Sequence, residues 1–268
     1  MPSSPPRPSD PGPAIDHGGE LDLPGGPDAA LLLHGLTGST FEIHPLAARL
    51  RAEGLRVVAP VMAGHGDGPG ALRGLPAGAW VAAAAGHLDR LRGARRCFLV
   101  GCSMGALVAC ALARERPGEV DGLVLLSPAL RLAFPASLGV QLGRLGPLAG
   151  LVVPKGGSDV RDPEMRQRNR GLPGLPLGAL SELGRLSRRV ETLLPEVRAP
   201  ALVVAGGRDH TIARSGVHRL VARLGGPTEL LFLPESFHLV AIDLEREACA
   251  EAVVRFLARL GPGPSPGR

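Results

Sequence analysis

Six short, almost unbroken aliphatic runs punctuate the chain: residues 30–34 (ALLLH), 55–60 (LRVVAP), 97–102 (CFLVGC), 122–127 (GLVLLS), 201–205 (ALVVA) and 229–234 (ELLFLP). None alternates apolar with polar, and each is bounded by Gly or Pro. Strands of a parallel sheet read this way, because both of their faces are covered. Longer stretches of helical character lie between them, at about 44–53, 79–92, 104–116, 213–224 and 243–260. Regular strand–helix alternation predicts an α/β fold with a doubly wound, mostly parallel sheet.

The alternation lapses once, over 131–197, where Pro- and Gly-punctuated apolar pieces lead through a charged stretch to a further helix at about 177–192. An insertion of that length after one strand predicts a small helical cap over the C-terminal edge of the sheet, where such folds bind ligands. The core is then 21–130 together with 198–260. Residues 1–20 and 261–268 are Pro, Gly and Ser with little that is apolar, so a disordered arm and tail are expected there.

Composition sharpens this picture only in places. With 44% hydrophobic residues but 3% aromatic ones, one Trp and no Tyr, the core must be built from aliphatic side chains. Lys155 is the sole lysine among 30 basic residues. That bias, with 38 Gly and 27 Pro, reads as a codon preference. The net charge of +5 comes from arginines scattered singly or in pairs, without aromatic interleaving, which argues against nucleic acid as a partner. Cys97, Cys102, Cys110 and Cys249 show no CxxC spacing and are expected as reduced residues, three of them in apolar segments. No apolar leader core opens the chain and no run of about 18 apolar residues occurs, so a soluble cytoplasmic protein without stable membrane insertion is expected.

Candidate chemistry centres on Gly101-Cys102-Ser103-Met104-Gly105, a G-x-S-x-G match. In so glycine-rich a chain the pattern arises by chance about one time in four. Its setting is more specific: an apolar run precedes it and a small-residue helix, MGALVACALARE, follows. That is the strand–turn–helix context of a nucleophile elbow, with Gly101 and Gly105 permitting the sharp turn.

A neutral serine hydroxyl needs a base, itself oriented by a carboxylate, and this fold places them in the order Ser, acid, His. Asp209 follows the run ALVVA, and His238 follows ELLFL; both are expected in loops at strand C-termini. Among the competitors, His210 adjoins Asp209 too closely along the chain to share a hydrogen bond with it. Asp159 and Asp162 fall in the insertion with no strand end to fix them, and Asp243 is assigned to a helix N-terminus. His87 and His218 are expected on solvated helix faces. His34-Gly35-Leu36-Thr37-Gly38 directly follows the first run, and its backbone can face a developing oxyanion. The expected donors are the N–H groups of Leu36 and Met104. His34 is read as a structural hydrogen-bonding group of this loop. His65 and Asp67 lack a third ligand, so no metal site is expected.

Together Ser103, Asp209, His238 and HGLTG resemble bacterial carboxylesterases and monoacylglycerol lipases of the α/β-hydrolase superfamily. The resemblance runs from about residue 28 to 260. It takes in residues 60–66 (PVMAGHG), Trp80, and the Ser236-x-His238 run with Asp243 and Glu245. It implies Ser103 as nucleophile, Asp209 as acid, His238 as base and a short cap over an apolar acyl pocket. Small to medium carboxylic esters are the implied substrates, with no cofactor. Phe237 departs from the family's usual Gly and bears on substrate range. C–C hydrolases, thioesterases, aminopeptidases and cofactor-free haloperoxidases use the same triad, and a non-catalytic ligand-binding relative would share the fold.

Overall fold

The computed structural model describes residues 18–261, so the arm and tail expected at the two ends lie almost wholly outside the described residues. The central sheet has seven strands: β1 (Leu21–Leu23), β2 (Asp28–Leu33), β3 (Arg56–Ala59), β4 (Arg96–Cys102), β5 (Gly122–Leu126), β8 (Ala201–Gly206) and β9 (Thr228–Leu233). Their order is β1-β3-β2-β4-β5-β8-β9, and all pairs are parallel except β1 with β3. Helices α1 (His44–Ala52), α2 (Ala77–Asp89), α3 (Met104–Glu115), α8 (Arg214–Arg223) and α9 (Arg246–Arg259) follow the strands, so the doubly wound sheet read from the aliphatic runs is present. The three-residue β1 carries no pattern of its own and was not foreseen. It is an edge strand defined only by its pairing with β3.

The unbroken runs have a direct cause. Successive side chains of a strand point to opposite faces. Leu31, Leu33, Leu99, Leu123, Leu125 and Val203 enter one core with Trp80 of α2 and Leu107 of α3. Ala30, Leu32, Phe98, Val100, Val124 and Val204 enter a second core with Leu50 of α1 and Phe256 of α9. Each fully buried Leu or Val stabilises the fold by about 2 kcal/mol, so in β2, β4, β5 and β8 neither face tolerates the polar positions that a half-solvated strand shows. The run ELLFLP, read as covered on both faces, instead forms the edge strand β9, exposed or half-buried as far as Phe232.

The insertion after β5 contains α4 (Ala136–Leu142), α5 (Gly146–Ala149), α6 (Pro163–Arg168) and α7 (Leu177–Leu193). A two-stranded antiparallel ribbon, β6 (Val152–Pro154) with β7 (Gly174–Pro176), sits among them. The ribbon escaped the sequence reading because VVP and GLP are too short to show a period. Helix α7 buries Leu183, Leu186 and Val190 in the core that α3 shares, so its C-terminal half is part of the helical layer. No helix among the described residues is long and apolar enough to cross a membrane.

Candidate active site

Ser103 ends β4 and opens α3 with φ 54° and ψ −109°. A β-carbon disfavours such a conformation by about 1–3 kcal/mol, so surrounding structure must impose it. The Ser103 N–H donates to the Leu126 carbonyl at 2.8 Å, and the Ser103 carbonyl accepts from Ala129 N–H at 3.2 Å. The two flanking glycines make the turn possible. A Cβ on Gly101 would lie 2.3 Å from the Gly105 backbone, and one on Gly105 would lie 2.1 Å from the Leu33 carbonyl oxygen. Helix α3 is thereby pressed against the ends of β2 and β4. Gly105→Ala is expected to lower unfolding free energy by about 3 kcal/mol, read by denaturant melting, because backbone on both sides leaves no room to relax.

Asp209 and His238 come from the loops after β8 and β9, which are adjacent in the sheet. His238 Nδ1 lies 2.8 Å from Asp209 Oδ2, with both side chains buried. Asp209 Oδ1 accepts the N–H groups of Thr211 (2.8 Å) and Ile212 (2.9 Å), which fixes the rotation of the carboxylate. Burial pushes the Asp209 carboxyl up, but the His238 charge, its hydrogen bond and the two amides outweigh this and hold it below its ordinary value. Burial likewise pulls the His238 imidazole down, and the Asp209 charge and hydrogen bond outweigh it, leaving the group raised. With Nδ1 donating to a carboxylate, neutral His238 leaves Nε2 unprotonated.

Two competitors turn out to build the histidine loop. Asp243 does not cap a helix: α9 begins at Arg246, behind the N-cap Glu245. The wholly buried Asp243 carboxylate instead accepts Phe237 N–H at 2.6 Å, Arg161 and Asp162 N–H at 2.9 Å each, and Leu244 N–H at 2.8 Å. Asp159, expected to be unfixed, is held on several sides. Its carboxylate accepts His210 N–H (3.0 Å) and Thr211 Oγ1–H (2.9 Å), and its carbonyl accepts the N–H of His238 (3.1 Å) and Leu239 (3.2 Å). The insertion thus grips the acid and histidine loops by backbone contacts that no sequence spacing displays. Asp243→Ala would orphan four amides, and a loss of about 3–5 kcal/mol is expected by thermal or denaturant unfolding. Phe237 turns its ring edge-on to His210 at 4.5 Å, while its carbonyl passes so close to Gly206 that a Cβ there would sit 1.9 Å away.

The HGLTG loop reaches the same place. A Cβ on Gly35 would meet the Ser103 Cβ at 3.3 Å. Buried His34 pairs its Nδ1 with the Gly35 carbonyl at 2.9 Å and accepts Met62 N–H on Nε2 at 3.0 Å. Burial, with His65 adding to it, lowers its pKa to about 3, so it stays neutral with the proton on Nδ1. That proton polarises the Gly35–Leu36 peptide, whose N–H is the expected oxyanion donor. His65 Nε2 accepts Thr37 N–H at 3.0 Å, a structural use of the ring instead of a metal-binding one. Met104 is the first residue of α3, and its N–H belongs to the turn of amides that a helix leaves without intrahelical partners. Cys102, beside Ser103, is buried with its thiol pushed well above the ordinary range, which leaves it protonated and inert.

Sequence reasoning missed Glu42 and gave no role to Lys155. Glu42 is buried under the HGLTG loop and accepts Gly35 N–H at 3.2 Å. Lys155 Nζ donates to Thr37 Oγ1 at 2.8 Å. The lone lysine in an arginine-rich chain was a usable signal, since the two side chains are not interchangeable when buried.

Comparison with known proteins agrees with this geometry. A family model described as serine aminopeptidase, S33, matches residues 27–245. The thermostable monoacylglycerol lipase of Bacillus sp. (strain H-257) is 25% identical over 238 residues, 87% of this chain and 92% of that protein. The carboxylesterase of Bacillus subtilis (strain 168) is 25% identical over 240 residues, covering 88% and 94% respectively. A solved structure from work on the metagenome-derived lipolytic enzymes LipS and LipT superposes with TM-score 0.84 at 26% identity, over 92% of this chain and all (100%) of that one. A strained serine elbow, a buried Asp–His pair and an opposed glycine loop stand together on this sheet, and the chain belongs to the serine aminopeptidase S33 family of α/β-hydrolases.

Proposed function

We propose that the chain is a serine hydrolase that cleaves carboxylic esters of small to medium apolar acyl groups through an acyl-enzyme on Ser103. The observation that carries this is the 2.8 Å contact between His238 Nδ1 and Asp209 Oδ2, whose loops end on the sheet edge that bears the Ser103 elbow. Relatives named as monoacylglycerol lipase and carboxylesterase support the ester class. Ser103 Oγ attacks the ester carbonyl as His238 Nε2 takes its proton, and Asp209 stabilises the imidazolium. The N–H groups of Leu36 and Met104 hold the oxyanion. His238 then protonates the departing alcohol and takes a proton from water. The resulting hydroxide adds to the acyl carbon, and His238 returns the proton to Ser103 Oγ as the acyl group leaves as its acid. The residues before and after β6 and β7 serve as the cap. The partner in this reading is a small-molecule ester met in the cytoplasm.

A fluorophosphonate probe and a ladder of p-nitrophenyl esters, with wild type beside Ser103→Ala, test the reading. Labelling and hydrolysis by the wild type alone are expected, and their absence in the wild type would overturn it. Aminoacyl p-nitroanilides in the same panel separate ester from aminopeptide cleavage.

A further inference from the structure

Thr37, next to the expected oxyanion donor Leu36, is held more tightly than any backbone requirement of the loop explains. It sits at φ 59°, a left-handed conformation that a β-branched residue resists. Three neighbours fix it there. Its N–H donates to His65, its carbonyl accepts Leu172 N–H at 2.8 Å, and its hydroxyl accepts Lys155 Nζ at 2.8 Å. Two of those three partners belong to the insertion after β5. Gly171 packs so closely that a Cβ on it would meet the Thr37 carbonyl at 2.4 Å. Lys155 is itself anchored, since its N–H donates to the Pro173 carbonyl at 3.0 Å. On the other side of the loop, buried Glu42 receives Gly35 N–H.

We infer that Lys155 is a positioning residue for the oxyanion hole, holding Thr37 and, through the Leu36 Cα that joins it to the Gly35–Leu36 peptide, the aim of the Leu36 N–H. The inference rests on the proposed role of Leu36. Electrostatics gives the ammonium a second task. A carboxylate under the oxyanion loop repels the charge that develops on the substrate, and a nearby cation offsets that repulsion. Burial pushes Glu42 up and outweighs the opposing pull of Lys155 and the Gly35 amide, so the group stays raised. Burial pulls Lys155 down while Glu42 pushes it back. The titratable groups facing this ammonium are Glu42, from the turn before α1, and His65, from the loop after β3; His238 acts on it only through Glu42. A lysine so placed loses its proton at lower pH than the ordinary 10.5. An arginine keeps its charge throughout.

The test compares wild type, Lys155→Met, Lys155→Arg, Thr37→Val and the Lys155→Met/Thr37→Val double variant. Each is assayed for kcat and KM on a p-nitrophenyl ester across pH, and for fluorophosphonate labelling. Lys155→Met and Thr37→Val are each expected to lower kcat about tenfold, since a donor is misaimed without being removed, with KM little changed. The double variant should be no worse than Lys155→Met alone, because Lys155→Met already breaks the contact that Thr37→Val removes. Wild-type kcat is expected to fall at alkaline pH as Lys155 loses its proton, and Lys155→Arg should recover part of the kcat lost in Lys155→Met and abolish that fall. Wild-type kcat in Lys155→Met, or additive losses in the double variant, overturns the inference. If Lys155→Met does not fold, Thr37→Val, which is isosteric, reads the same contact. Failure of the wild type to label or turn over overturns the catalytic reading itself, a separate outcome.

Discussion

Replacing Ser103 by alanine is expected to lower kcat on a p-nitrophenyl ester on the order of 10⁵-fold to 10⁶-fold and to abolish fluorophosphonate labelling. His238→Ala should cost about as much, and the double variant no more than either. Nucleophile and base act as one unit: without the imidazole the hydroxyl stays protonated, and without the hydroxyl the imidazole has nothing to activate. A residual rate about 10³-fold above water is expected from the Leu36 and Met104 amides, which none of these substitutions touches. Steady-state kinetics on purified variants, with unfolding curves to show that each is native, checks all three. Additive losses would mean that Ser103 and His238 belong to different steps.

Asp209→Asn is expected to lower kcat about 10⁴-fold while leaving the fold intact. The geometry says why an isosteric change does so much. Asp209 Oδ1 is claimed by the N–H groups of Thr211 and Ile212, so an asparagine there must place its oxygen on those donors. Its NH₂ group then faces His238 Nδ1, which has to become an acceptor, and the proton moves to Nε2, where the base is needed. The pH profile carries the same information. Base catalysis needs neutral His238, and the net effect of Asp209 raises that group above its ordinary 6.5, so the acid limb of wild-type kcat/KM should lie above pH 6.5. In Asp209→Asn burial keeps its downward pull, the largest of the influences, against only the lesser Asp159 and Glu42 charges, and the limb of the residual activity should move to lower pH. A limb that stays in place would assign it to another group.

Much of the site was legible because it lies at strand ends. Ser103, Asp209 and His238 each follow an aliphatic run, and a parallel sheet gathers the C-terminal ends of its strands on one edge whatever their separation in the chain. His34 was legible as a loop-holding group for the same reason. The residues that hold the site in shape were not legible. Asp243 looked like helix-terminus chemistry because it precedes a helical stretch, whereas its carboxylate faces backward onto the histidine loop and sideways onto Arg161 and Asp162. Asp159 looked unanchored because its partners, His210 and Thr211, are about fifty residues away.

The sequence alone determined six of the seven strands, the winding of the sheet and the placing of Ser103, Asp209 and His238 at strand ends. Those follow from local rules: two-faced burial makes continuous apolar runs, and the elbow needs glycine where a Cβ would strike backbone. Only the tertiary structure decided how the insertion engages the core. Lys155 on Thr37, Asp159 on the acid loop and Asp243 across the histidine loop are contacts between segments with no shared period. A buried polar group takes whatever partner the packed fold brings within about 3 Å, and that partner leaves no mark on its neighbours along the chain.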